Sequence, residues 1–147
     1  DHLDCSESFS YLQLLHHIEK SHYECFLEFD SISFPFDIND DIWECYILKY
    51  SSNLFRVYFN YMKKTKIFYW AVQLIGPPEE VAKYKYELDI TDKYGNNRLY
   101  TKAQCAAQSK LADSFQNDNF VSFNYNQISR LILNDQLTYR VRILTAI

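Results

Sequence analysis

Leu54-Phe55-Arg56-Val57-Tyr58-Phe59-Asn60-Tyr61 decides the fold class. Phe55, Val57, Phe59 and Tyr61 fall at every second position, with Arg56, Tyr58 and Asn60 between them. A period of two belongs to a β-strand, whose successive side chains point to opposite faces. Tyr84-Lys85-Tyr86-Glu87-Leu88-Asp89-Ile90 repeats the alternation and reads as a half-buried antiparallel strand.

Working outward, residues 26–36 are β-like, with Ile32, Phe34 and Phe36 on one face and an end near Pro35. Residues 42–50 are a second apolar run containing Trp43, Tyr46, Ile47 and Leu48. Lys63-Lys64-Thr65-Lys66 is a charged turn into 67–75, a run apolar enough to be buried on both faces. Gly76-Pro77-Pro78 stops it, because proline brings no ladder donor. Tyr94-Gly95-Asn96-Asn97 turns the chain into 98–103, and the polar stretch 106–119 reads as a long loop. Strands at 120–123 and at Leu137-Tyr139-Val141-Ile143 flank a short helix or turn at 127–133.

The count is about eight strands with no alternating helices. Two apolar sheet faces must then bury each other, which predicts an all-β antiparallel sandwich. Before it, Ser10 and Gln13 have capping-box spacing, and Tyr11, Leu14, Leu15 and Ile18 recur at helical intervals. The spacing predicts a short helix over 10–21. Organisation is therefore a helical appendage over 1–24 and a sandwich over 25–147.

Composition narrows the function. Net charge is −4, with Lys and Arg scattered, so nucleic acid is not an expected partner. Two glycines cannot build the phosphate-cradling loops of nucleotide enzymes. No apolar run is long enough to cross a bilayer, the first residues do not read as a signal peptide, and no membrane partner is expected. The four cysteines are unclustered and no Asn-x-Ser/Thr occurs, which fits a cytosolic domain.

All four histidines lie within the first 22 residues, so histidine-based catalysis cannot be placed on the sandwich. Asp40-Asp41, Glu79-Glu80 and Glu87-x-Asp89 read as solvated charge. Cys25, Cys45 and Cys105 read as small buried hydrophobes. No active site is legible.

Two features remain. Cys5, His17 and His22 have the spacing C-x11-H-x4-H, which suits half of a tetrahedral zinc site, with His16 read as a surface residue. Chance placement is the other reading. With no fourth ligand in reach, three ligands should hold zinc poorly, so this segment is expected to be metal-free or disordered. The second feature is the aromatic surplus of thirteen Tyr, eleven Phe and two Trp. Most of it fills alternating strand positions, but Trp43, Tyr46 and Tyr50 leave their strand apolar on both faces. An edge strand open to β-augmentation and a central or dimer-interface strand both fit.

The finger-like Cys5, His17 and His22 run directly into a sandwich bearing Phe68-Tyr69-Trp70-Ala71-Val72-Gln73-Leu74-Ile75-Gly76, Tyr84-Lys85-Tyr86-Glu87-Leu88 and Asp135-Gln136-Leu137-Thr138-Tyr139-Arg140-Val141. Together they resemble the seven-in-absentia (SINA/SIAH) family of RING-type E3 ubiquitin ligases. The resemblance implies a TRAF-like substrate-binding domain preceded by the end of a SINA-type zinc finger, with Cys5, His17 and His22 as zinc ligands. It implies a homodimer that binds degron peptides of substrate proteins by strand addition and directs their proteasomal degradation. Trp43 and Cys45, with Phe26 and Glu28 from the first strand, would form the groove. Ile42 stands where the family carries an acidic residue, so the family's peptide specificity is expected to be altered or lost. The E2 would be recruited by the RING, absent here, leaving this domain without catalysis of its own. A cytoplasmic location is implied, with the nucleus as a second compartment. The alternative is a TRAF/MATH-type adaptor that trimerises on receptor tails, against which the missing coiled-coil heptads argue.

Overall fold

The alternations seen in the sequence become two four-stranded antiparallel sheets. The computed structural model describes residues 16, 17, 20, 31–92, 94–107 and 120–145. Strands are β1 Ser31–Pro35, β2 Ile42–Tyr50, β3 Asn53–Met62, β4 Ile67–Ile75, β5 Tyr84–Thr91, β6 Arg98–Gln104, β7 Phe120–Asn124 and β8 Gln136–Thr145. One sheet has the order β2-β3-β4-β7 and the other β1-β8-β5-β6. The all-β sandwich expected from the period-two stretches is the observed fold. His16, His17 and Lys20 are helical, and the rest of the expected 10–21 helix lies outside the described residues.

The intersheet core is aromatic because β3 and β4 direct large rings inward at alternate positions. Phe55, Val57, Phe59 and Tyr61 of β3 are fully buried, and so is Phe68 of β4, with Trp70 at 1% exposure. They meet Ile32 and Phe34 of β1 and Tyr139 and Val141 of β8 from the other sheet. Phe59 is the centre, with ring centroids 5.0 Å from Trp70, 5.1 Å from Phe34 and 5.8 Å from Tyr139.

β4 is buried on both faces, as its unbroken apolar run predicts. Ala71, Gln73 and Ile75 point away from the intersheet core yet are buried. Gln73 is the polar exception, and its Oε1 accepts the Tyr58 hydroxyl at 3.2 Å. The start of the polar stretch after β6 also docks on β4. Ala106 bridges Gln73 in parallel, accepting from Leu74 N–H at 3.0 Å and donating to Val72 C=O at 2.8 Å. This non-local pairing carries no local sequence signal.

Turns follow their residues. Gly95 has φ 72°, and Asp92 organises its turn by accepting from the backbone N–H groups of Tyr94, Asn96 and Asn97 and from the Asn97 side chain. A helical turn, α1 (Tyr125–Ile128), starts two residues before the expected 127–133. Asn124 caps it in a reciprocal capping box with Gln127.

A candidate peptide-binding edge

β1 and β2 are consecutive in the chain but belong to different sheets, and each is the outermost strand of its sheet. The short connection between them crosses from sheet to sheet, and Phe34 and Phe36 of this region pack on Phe59 and Tyr61 of β3. Among the described residues this connection thus joins the outermost strand of one sheet to the outermost strand of the other. A strand at an edge leaves alternate backbone N–H and C=O groups directed away from its only partner. Among the described residues β2 is outermost in its sheet rather than central, a position that suits both the augmentation and the dimer-interface readings of residues 42–50.

Trp43 lies on the outward face of β2, opposite Asn60, and is 36% exposed. Its ring rests on Tyr58, with centroids 5.9 Å apart, so the strand beneath it holds the indole in place. Cys45 follows on the same face, directly opposite Tyr58, and is half-buried. Burial pushes the Tyr58 hydroxyl pKa up, opposed by the neighbouring Arg56 guanidinium. Tyr58 braces the indole from the outward face of β3. In the sequence it alternates with the inward residues and shares its face with Arg56 and Asn60.

The inward face of β2 carries Glu44, opposite Phe59, where the core would favour an apolar residue. Tyr46 Oη donates to its carboxylate at 3.3 Å. Tyr139 is fully buried, which raises its hydroxyl pKa well above normal, and Tyr46 and Glu44 add to the shift. Where β1 ends and β2 begins, a cavity of about 560 Å³ opens, lined in part by Pro35, Phe36, Ile38, Ile42 and Tyr125. Asp37, Asp40 and Asp135 complete its rim. Asp40 is exposed, as expected of a solvated charge, and also lines this cavity.

Phe26 and Glu28 lie outside the described residues, as do Cys5 and His22 of the predicted zinc ligands. His17 is half-buried. Among the described residues no three His, Cys, Asp or Glu side chains come together as a metal site. Cys105 meets the expectation of a small buried hydrophobe, and burial pushes its thiol up to about 12. Glu87 and Asp89 depart from expectation: both are half-buried and engaged by cross-strand Arg, Lys and Tyr partners.

The model of the Sina, TRAF-like domain family matches residues 48–142, well over half of the chain. The chain belongs to the SINA TRAF-like family. It is a substrate-binding domain of the SINA type in general. The match runs from the end of β2 to the end of β8, so this SINA domain owes its membership to the sandwich. Trp43, Cys45 and β1 precede the matched residues. No curated protein matches the chain.

Proposed function

We propose that this SINA domain selects proteins for ubiquitin-dependent proteasomal degradation by adding a degron peptide as a strand along β2. The observation that carries the reading is Trp43: a large, partly exposed ring, braced by Tyr58, on a strand whose other edge has no neighbouring strand among the described residues. Backbone hydrogen bonds along β2 would supply affinity, and pockets for alternate side chains would supply selectivity. Covering the remaining face of the indole would contribute roughly 2 kcal/mol, enough for Trp43 to act as the anchor. Cys45 lies one pleat further along the same face, and Phe26 and Glu28 would form the facing wall.

The wider reading is that two such domains pair as a homodimer in the cytoplasm or nucleus. A RING domain, not this one, would receive the E2, and Cys5, His17 and His22 would hold zinc. Selection of extended peptides from a display library against the chain tests the site. The best peptide should lose about tenfold or more in affinity for Trp43→Ala, a difference of about 1.4 kcal/mol or more. Equal affinity for both proteins would remove β2 as the site.

A further inference from the structure

We infer that the solvent face of the β1-β8-β5-β6 sheet is a docking surface for an acidic protein segment. This face lies on the opposite side of the sandwich from Trp43 and is independent of the peptide reading. The alternation that points Tyr86, Leu88, Tyr139 and Val141 into the core points Lys85 of β5, Arg98 and Lys102 of β6, and Arg140 and Arg142 of β8 to solvent. All five cations are exposed. The only carboxylates at outward positions of these strands are Glu87 and Asp89, both half-buried on β5. In a chain of net charge −4, the outward-facing charges of these strands, five cations against two carboxylates, therefore sum to +3 among the described residues.

The two carboxylates are already committed. Asp89 accepts both Arg98 Nε at 2.8 Å and Arg98 Nη2 at 2.7 Å, which holds that guanidinium over the Tyr100 ring. Glu87 accepts the Tyr100 hydroxyl at 2.6 Å and lies 3.7 Å from Lys102 Nζ and 3.9 Å from Arg142 Nη1. One carboxylate thus serves cations from both flanking strands. The register places Lys102, Glu87 and Arg142 in one row across three strands, and Tyr100, Asp89 and Arg140 in the next. Neighbours within a row stand at the strand spacing of about 4.8 Å and the rows lie about 6.8 Å apart along the strands, giving an array with cationic excess.

Edge lysines often serve only to discourage strand pairing. That accounts for Lys102 on β6, the outer strand, but not for Arg140 and Arg142, because β8 is paired on both sides. A second copy seated face to face would bring like charges together, so the occupant is not this chain. The remaining surface is net acidic, which disfavours an extended polyanion such as nucleic acid and favours a short acidic stretch of protein.

The test uses the whole chain and a fluorescein-labelled oligo-glutamate peptide, read by anisotropy at low and at moderate salt. The reversal Arg140→Glu with Arg142→Glu should weaken binding about tenfold or more, and salt should weaken the wild-type complex. Lys63→Glu with Lys64→Glu makes the same change in net charge at the exposed β3–β4 turn and should cost less than about threefold. The neutral pair Arg140→Gln with Arg142→Gln, with its circular dichroism melt, gives the same comparison if the reversal does not fold. No binding of the peptide, equal loss in both reversals, or tighter binding of oligothymidine or of anionic phosphatidylserine vesicles would overturn the proposal.

Discussion

Replacing Phe59 by Ala should unfold the domain sooner than any surface change, because this one ring joins the two sheets. Phe59 is fully buried and contacts Trp70, Phe34, Tyr139 and Phe68, with centroid distances of 5.0, 5.1, 5.8 and 6.2 Å. Removing a buried phenyl group costs about 3–5 kcal/mol through lost transfer energy and the cavity left behind. Four ring neighbours from three strands of both sheets leave little room for collapse, so the loss should be about 4 kcal/mol, a large fraction of a typical domain's stability. With a urea m-value of about 2 kcal/mol/M, the midpoint should fall by roughly 2 M. Phe59→Leu keeps most of the volume and should cost about 1.5 kcal/mol or less, separating lost volume from lost ring contacts. Tyr94→Ala, at a residue 68% exposed, should stay within about 0.5 kcal/mol. A Phe59→Ala loss below about 2 kcal/mol, or one matched by Tyr94→Ala, would refute a core organised around this ring.

Burial pushes the pKa of Asp92 up, but hydrogen bonds from Asn97, Asn96 and Tyr94 outweigh it and hold the carboxyl below its ordinary 3.8. A depressed native pKa contributes stability above the unfolded value that is lost as pH falls through the native one. Asp92→Asn should therefore flatten the loss of stability below about pH 4 in acid unfolding curves, while lowering stability at neutral pH. Gly95 has φ 72° with open space where a Cβ would stand, so Gly95→Ala should cost about 1 kcal/mol from backbone conformation alone, and Gly95→Asn less, in thermal melts. Cys105, with its thiol pushed up to about 12, should resist iodoacetamide at pH 8 in the native chain and react once urea exposes it, as mapped by mass spectrometry.

Strands were legible where one face is buried and the other wet. The alternations at 54–61 and 84–90 became β3 and β5 with little change at either end. The unbroken apolar run at 67–75 became β4, covered on both faces. Strand order was not legible, because period two says which way a side chain points and not which strand lies alongside. The Gln73–Ala106 bridge and the edge position of β2 are products of that order. The early start of α1 had a local signal, Asn124 with Gln127 three residues on, hidden behind the strand that precedes it. At the candidate site Trp43 stood out for its size, whereas Tyr58, Glu44 and the cavity rim gained their places only when β1 and β3 closed on β2. The carboxylates of β5 read as solvated because their cationic partners, Arg98, Lys102 and Arg142, lie on other strands.

Amide hydrogen exchange along β2, with and without a display-selected peptide, tests strand addition most directly. New backbone hydrogen bonds should slow exchange at alternate residues around Trp43 and Cys45, and the effect should vanish in Trp43→Ala. Protection centred on β6 or β7, or peptide binding with no change in β2 exchange, would contradict the account.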